Sequence, residues 1–330
     1  MEVYSHRELS DMLQQRDNEI PLSLCFTDHI SGFDSAFHNI YLDKLSSFDT
    51  ERNIYYDWPL EDNVHELYDN LNIKFKLDKS SHMQNMSLLT PLLTYRIHPT
   101  IEFDNFLCSF NGSDGYGRQF LVSALYKYGW FNKEYCSKNF SSSCDTIDGN
   151  MEKFLDGDDL ALYRNIIIRS TSSDDFSEFL NNTNGFSFDK SYYDYPSDIS
   201  YLEDKLSRSF VNLISETVSE SYHPFVTEKS IYSIVTRGLF ITYGQPHWHS
   251  HVEKYYGFKK YNKIFDYSFD EITNPIKRLI EILTMLHKFS LLSKADWNDL
   301  YLMEQDTIEY NYDHYFSKNF LDKLRSYENV

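Results

Sequence analysis

Short apolar runs of strand length alternate along this chain with stretches in which apolar residues recur every three or four positions. The helical spacing is clearest over residues 118–128, where Leu121, Leu125 and Tyr128 share one face. Strands alternating with helices are typical of parallel-sheet proteins, so we expect fold class α/β. The apolar runs predict strands at 22–26, 53–56, 73–77, 106–110, 209–214 and 239–243.

Turn and cap residues indicate where the other elements end. Gly238 and Gly257 each follow a helical pattern, and Asn274 followed by Pro275 is typical of a helix start. We expect further helices, the last two packing back on the body, at 247–256, 295–302 and 306–324. We expect loop in two Ser- and Asp-rich stretches, 137–149 and 170–197, the second apart from short pieces at 176–180 and 186–188. We expect a short final strand at 258–262.

The bulk composition narrows the classes of protein that fit. Of the 330 residues, 41% are hydrophobic, enough for packed cores in more than one domain. A net charge of −19 argues against a broad basic face that holds the chain on nucleic acid. No apolar run reaches the length of a membrane span and no leading signal segment is recognisable. We therefore expect a cytoplasmic protein, in the host cytoplasm if its source is viral.

Metal ligands are sparse in the sequence. None of the four cysteines forms a CxxC pair, so a zinc knuckle is not expected. His247 and His251 share a face of a predicted helix, but His249 lies off that face and no carboxylate or cysteine completes a set. The sequence therefore predicts no metal site.

One polar cluster sits where a loop becomes a helix. Thr227, Glu228 and Lys229 follow the strand at 209–214 and its acidic neighbour Glu216. A helix start has unpaired N–H groups and a positive dipole end, which suit a phosphate. A lysine adds a point charge for a diphosphate, and a glutamate can accept hydrogen bonds from sugar hydroxyls. The cluster therefore predicts a nucleotide-sugar pocket.

A second anion-binding candidate follows the strand at 106–110. Asn111 opens a glycine-rich turn, and Arg118 lies at the start of the next helix. The turn is neither a Walker loop nor the dinucleotide fingerprint. Arg118 could therefore hold a phosphate, or it could be the solvated arginine of an ordinary strand-to-helix turn.

These two stretches together resemble the donor domain of fucosyltransferase-like glycosyltransferases of the GT-B fold. The resemblance rests on 105–129 and on 215–244, where an acidic residue is followed by Thr-Glu-Lys, an apolar strand and Gly244. Stretches between 257 and 314 are also similar to uncharacterised phage and marine-microbe proteins described as glycosyltransferase-like. This chain has Glu216-Thr217 where the fucosyltransferase motif usually has Glu-Asn, so the resemblance does not specify GDP-fucose.

The resemblance implies roles for the site residues. Arg118 and Lys229 would hold the donor diphosphate, and Glu216 and Glu228 would contact the ribose or donor sugar. Asn111, Thr227 and Gly244 belong to the same donor site. The resemblance also implies two Rossmann-like domains that face each other across a cleft. It implies no resident cofactor, since basic side chains neutralise the diphosphate in place of a metal ion and the nucleotide-diphosphate sugar is a co-substrate.

An inverting transfer needs a carboxylate from the first domain to take the acceptor's proton. Asp28 and Asp34, after the strand at 22–26, are the candidate catalytic bases, with His29 as a third; Asp34 could instead cap a turn or helix.

The expected organisation has an acceptor-side α/β domain, a donor-binding α/β domain and C-terminal helices, at 1–104, 105–290 and 291–330. We expect a glycosyltransferase acting on a glycan or on hydroxymethylated pyrimidine in DNA. The alternative is a non-catalytic carbohydrate-binding or phage structural protein that retains the fold.

Overall fold

The computed structural model describes part of the chain, and structural statements below refer to that part. It comprises residues 2–4, 23–26, 52–56, 73–77, 89–90, 92–98, 101–111, 116–141, 157, 160–161, 164, 174–182, 195–216 and 226–326.

The C-terminal two thirds of the chain form a parallel four-stranded sheet with helices. Every pair of neighbouring strands is parallel, and the strand order is β6-β5-β7-β8. The strand predictions at 106–110, 209–214 and 239–243 are confirmed. The strands are β5 Asn105–Asn111, β6 Cys136–Lys138, β7 Ser209–Ser215 and β8 Phe240–Tyr243.

Helices pack on this sheet in two groups. The connection from β5 to β6 runs in one direction along the sheet, and the connections to β7 and β8 run in the other. Because crossover connections between parallel strands are right-handed, their helices lie on opposite faces. This is the doubly wound α/β arrangement, and it is compatible with a Rossmann-like sheet. The helices are α1 Tyr116–Lys127, α2 Asp174–Asn181, α3 Tyr195–Ser207, α4 Glu228–Val235, α5 Trp248–His251, α6 Pro275–Ser290, α7 Lys294–Met303, α8 Gln305–Tyr315 and α9 Lys318–Ser326.

The N-terminal third forms another parallel sheet of four described strands, the first in chain order, and we call the β5–β8 sheet the second sheet. Their order is β1-β2-β3-β4, so no reversal of direction occurs among them. The predicted strands at 22–26, 53–56 and 73–77 are confirmed. The start of the chain forms an edge strand among the four described strands. The strands are β1 Glu2–Tyr4, β2 Ser23–Phe26, β3 Arg52–Tyr56 and β4 Ile73–Leu77.

The core around the second sheet is strongly aromatic at its amino end. Phe210 at the start of β7 stacks on Trp297 of α7, with 5.7 Å between ring centroids. Phe103, just before β5, meets Tyr301 of α7 edge to face at 5.5 Å. Aromatic pairs of this geometry add about 0.5–1.5 kcal/mol beyond their buried area. Helix α7 is therefore packed at the amino end of β5 and β7, away from their carboxyl ends.

Residues 92–98 also pack on the C-terminal helices. The hydroxyl of Tyr312 in α8 donates to the carbonyl of Ile97 at 3.0 Å, and the hydroxyl of Tyr315 accepts from the backbone N–H of Leu92 at 3.2 Å. Both tyrosines are buried. These contacts place the segment before β5 against α8.

Several sequence-based expectations are wrong in detail. The stretch 137–149 was expected to be loop, but its start is in β6, where Lys138 is buried. The expected helix at 306–324 is two helices, because Ser317 accepts from the N–H of Phe320 at 3.2 Å and begins α9. Residues 258–262 form no strand. The helix expected at 247–256 continues beyond α5 only as a π-helical turn, Val252–Tyr256.

No helix of the described residues is both long and apolar enough to cross a lipid bilayer.

Candidate site at the carboxyl edge of the second sheet

The carboxyl ends of β5 and β7 meet at the point where the winding direction of the sheet reverses. In open α/β sheets, ligands bind outside the carboxyl ends of the strands at such a reversal. β5 ends at Asn111 and β7 at Ser215, and these strands are direct neighbours in the sheet. The sequence-predicted donor residues follow these two strand ends.

Arg118 crosses this reversal point. It lies in the first turn of α1, and only 5% of its surface is exposed. Its Nη2 donates to the carbonyl oxygen of Ser215 at 3.4 Å. A side chain that follows β5 thus contacts the last residue of β7, so the two predicted halves of the site are joined.

Glu216, the next residue, supports the start of α4. Its Oε1 accepts from the backbone N–H of Thr227 at 3.2 Å, and its Oε2 accepts from the Thr227 hydroxyl at 2.8 Å. Thr227 is the N-cap of α4 and accepts from the N–H of Lys229 at 3.5 Å. The carboxylate therefore fixes the cap residue from which the helix begins.

Lys229 is surrounded by oxygen atoms from its own chain. Its Nζ donates to the Thr227 hydroxyl at 3.1 Å and lies 3.8 Å from Glu216 Oε2 and 3.5 Å from Glu228 Oε1. The side chains of Lys229 and Glu228 are 28% and 22% exposed, and that of Glu216 is fully buried. Burial raises the pKa of Glu216, while Lys229 and the Thr227 hydrogen bonds oppose the rise.

The four charged site residues differ in how accessible they are to a ligand: two are partly exposed and two are buried. Both oxygens of Glu216 are occupied by Thr227, so its geometry favours support of Lys229 over direct contact with a sugar. Lys229 and Glu228 can both meet a ligand from solvent. Arg118 is only 5% exposed, and its Nη2 is turned to the Ser215 carbonyl.

Two buried oxygen atoms lie at the same edge. The Oδ1 of Asn111 and the Oγ of Ser215 have no hydrogen-bond partner among the described residues. The amide nitrogen of Asn111 is used, since Nδ2 donates to the hydroxyl of Ser109 at 3.2 Å. Buried polar atoms are normally paired. These oxygens are acceptors that ligand hydroxyl or amide groups could satisfy.

Gly244 is constrained by packing within the protein. A Cβ atom at this position would lie 2.7 Å from Cδ1 of Trp248. Its carbonyl accepts from Nε of Arg278 at 3.0 Å. A glycine is needed here because the indole of Trp248 occupies the space that a side chain would fill.

Arg278 was not among the predicted site residues, although it brings a third cation to this edge. It lies in the first turn of α6 and is 1% exposed. Besides Gly244, its guanidinium donates to the carbonyls of Ile272 and Thr273. The helix-start signal Asn274-Pro275 followed by a basic residue was visible in the sequence. The strand end that Arg278 meets was not, because that contact joins residues 34 positions apart.

The three histidines of the 247–251 stretch have separate surroundings. A backbone N–H can only donate, so Nε2 of His249, which meets the N–H of Thr242 at 3.1 Å, is an acceptor. Its Nδ1 therefore donates to Asp270 at 2.9 Å. Burial would raise the pKa of Asp270, but His249 and the N–H of Ser250 lower it to about 2. His247 lies beside Glu271, and His251 packs on Tyr255.

His249 and Asp270 thus join β8 to the turn before α6, and the imidazole has no free nitrogen for acid–base work. Among the described residues, no three His, Cys, Asp or Glu side chains are grouped for a metal ion. The candidate bases Asp28 and Asp34 lie outside the described residues.

Comparison of the chain with protein-family models, curated proteins and solved structures finds no match.

Proposed function

We propose that this chain is a glycosyltransferase that binds a nucleotide-diphosphate sugar at the carboxyl edge of the β5–β8 sheet. The observation that supports this most directly is the link between the two predicted halves of the site. Arg118 contacts Ser215, and the adjacent Glu216 lies 3.8 Å from Lys229. Two cations from two different helix starts are therefore linked to adjacent residues at the end of β7, beside the reversal point where doubly wound sheets bind nucleotides.

The charge balance favours an anionic ligand. The whole chain has a net charge of −19, yet three cations (Arg118, Lys229 and Arg278) lie at this edge beside two carboxylates (Glu216 and Glu228). A diphosphate carries enough negative charge to be held by basic side chains and a helix start without a metal ion. Asn111 and Ser215 add buried acceptors for the hydroxyl or amide groups of the same ligand.

The proposed reaction is a metal-independent inverting transfer in a GT-B arrangement, with the N-terminal sheet on the acceptor side. The acceptor hydroxyl oxygen attacks the anomeric carbon, its proton passes to a carboxylate, and the nucleoside diphosphate leaves. Asp28 or Asp34 would be that carboxylate. Lys229 would stabilise the charge that develops on the leaving diphosphate. The acceptor would be a glycan or hydroxymethylated pyrimidine in DNA.

A non-catalytic binding protein is the alternative, and one feature favours it. Lys229 already has oxygen atoms of Thr227, Glu216 and Glu228 near its ammonium group. A lysine surrounded in this way can act only to stabilise the start of α4, without binding a ligand. In that case, nucleotide diphosphates would not bind at this edge.

A thermal-shift screen of nucleoside diphosphates and nucleotide sugars distinguishes the glycosyltransferase proposal from the non-catalytic alternative. A ligand of the folded state raises the melting temperature, and calorimetry then gives its Kd. We expect Lys229→Met to weaken the best ligand about 10- to 100-fold, the range of one charge-assisted contact. Lys288→Met, at an exposed position of α6, is the matched control. The proposal would be refuted if no compound in the panel binds, or if both variants bind the best ligand with equal affinity.

A further inference from the structure

A basic face lies beside β8, in a chain that is otherwise acidic. Residues 252–263 and helix α9 together contain seven Lys and Arg but only two acidic residues. The rest of the chain has about two acidic residues for each basic one. We call the surface formed by 252–263 and α9 the lysine face; Lys254, Lys259, Lys263, Lys318 and Arg325 on it are exposed.

The backbone of the lysine face is fixed to α8 and α9. The hydroxyl of Tyr310 in α8 donates to the carbonyl of Gly257 at 3.3 Å. A Cβ at Gly257 would lie 2.7 Å from Nε2 of His314, so the two segments are in close contact. Lys323 of α9 donates to the carbonyl of Lys254 at 2.7 Å. Lysines from two separate segments are therefore held side by side.

The ammonium groups of this face are only partly neutralised by the protein. Lys260 pairs with Glu253 at 3.5 Å. The ammonium of Lys259 lies 3.8 Å from the ring centroid of Tyr310, and no described carboxylate lies within ion-pair distance of it. Lys318 and Arg325 likewise have no described carboxylate within ion-pair distance. Unneutralised cations in an acidic protein concentrate the attraction for polyanions on one surface.

We propose that the lysine face binds the phosphodiester backbone of nucleic acid. Lysine ammonium groups are compact point charges that bind phosphate oxygens without a fixed geometry, which suits contacts to a nucleic-acid backbone. The Tyr310 ring already has two partners, since the Lys259 ammonium lies over it and His314 is stacked on it at 5.6 Å. The face therefore offers charge contacts and not a free ring for base stacking, and binding is independent of sequence.

The lysine face is distinct from the candidate donor site. Tyr261 packs on Phe240 at the amino end of β8, with 5.5 Å between ring centroids, whereas the donor site lies at the carboxyl end. Nucleic-acid binding here does not require transferase activity. Its use in presenting a DNA acceptor rests on the proposed function.

The test is fluorescence anisotropy with a labelled DNA duplex over a series of salt concentrations. We expect binding at about 50 mM salt that weakens steeply as salt rises, with a slope of log K against log salt near −0.9 per phosphate contacted. The double variant Lys254→Glu/Lys259→Glu should weaken binding more than about 10-fold and flatten the slope by about 2. Lys133→Glu/Lys288→Glu changes the net charge equally at exposed positions elsewhere.

The outcomes are distinguishable. Absence of binding at low salt, or an equal loss in both double variants, would overturn the proposal. Tighter binding of a labelled polyuronate than of the duplex would assign the face to acidic glycans instead. Melting curves of both double variants check that each remains folded. A donor-binding result from the thermal-shift screen has no bearing on any of these outcomes.

Discussion

Arg237 combines an unusual backbone conformation with a side chain that joins three parts of the fold. Its φ of 54° lies in the left-handed region, where a residue with a Cβ costs about 1–2 kcal/mol. The N–H of Gly238 donates to the carbonyl of Ser233 at 2.8 Å, so Arg237 and not Gly238 turns the chain at the end of α4. Gly238, expected to end this helix, follows the left-handed residue directly.

The side chain of Arg237 offsets that cost. Nε donates to both carboxylate oxygens of Glu309 at 3.0 and 3.1 Å, and Nη1 donates to the carbonyl of Ile97 at 2.9 Å. The guanidinium lies 3.5 Å from the ring centroid of Tyr312. Glu309 is 43% exposed, so its ion pair is worth about 0.5–1 kcal/mol. With about 1 kcal/mol each for the carbonyl contact and the cation–π contact, the side chain contributes about 2–3 kcal/mol.

Two substitutions separate the backbone effect from the side-chain effect. Arg237→Ala removes the side-chain contacts and keeps the left-handed cost, so we expect a loss of about 2–3 kcal/mol in the free energy of unfolding. Arg237→Gly removes the same contacts but relieves the backbone, so we expect it to be about 1 kcal/mol more stable than Arg237→Ala. Urea unfolding followed by tryptophan fluorescence measures both. An alanine variant equal to or more stable than the glycine variant would refute the left-handed assignment.

Two further predictions concern the donor site. Because burial raises the pKa of Glu216, the folded state holds this proton more tightly than the unfolded chain. The stability that the tightly held Glu216 proton contributes is complete below the ordinary pKa of 4.5 and is lost as pH rises through the raised pKa. The free energy of unfolding of the wild type, measured in urea titrations, should therefore fall relative to that of Glu216→Gln as pH rises. A pH-independent difference would contradict this. Glu228→Gln should tighten nucleoside diphosphate binding a few-fold in calorimetry, because Glu228 competes for Lys229; weaker binding would instead indicate direct contact between Glu228 and the ligand.

The sequence predicted best those elements whose apolar pattern is complete within the element. All seven residues of β7 are buried, and the apolar face of α6 is continuous. β6 was missed because it has only three residues and includes Lys138, whose ammonium is buried by distant partners. Its Nζ donates to the carbonyls of Phe140, Leu180 and Asn182, and the last two lie at the C-terminal end of α2.

The residues of the candidate site also fall into those with a local sequence signal and those placed by contacts between distant parts of the chain. Helix starts and their charged residues are local signals, so Arg118, Thr227 and Lys229 could be found from the sequence. The supporting role of Glu216 depends on an 11-residue separation across a loop, and the position of Arg278 depends on a contact with β8. Neither contact leaves a periodic or spacing pattern. The lysine face was missed for the same reason, because its two segments lie far apart in the chain and meet through contacts such as Lys254 with Lys323 and Phe258 with Phe320.

The contacts of Lys229 also determine how an anion would enter the site. The ammonium group is held by a buried carboxylate 3.8 Å away and a more accessible one 3.5 Å away. Glu216 cannot withdraw, because both of its oxygens bind Thr227, whereas Glu228 is partly exposed and can rotate into solvent. An incoming phosphate would therefore replace Glu228 and leave Glu216 in place. The buried carboxylate then holds Lys229 in position for the ligand, which lowers the side-chain entropy lost on binding.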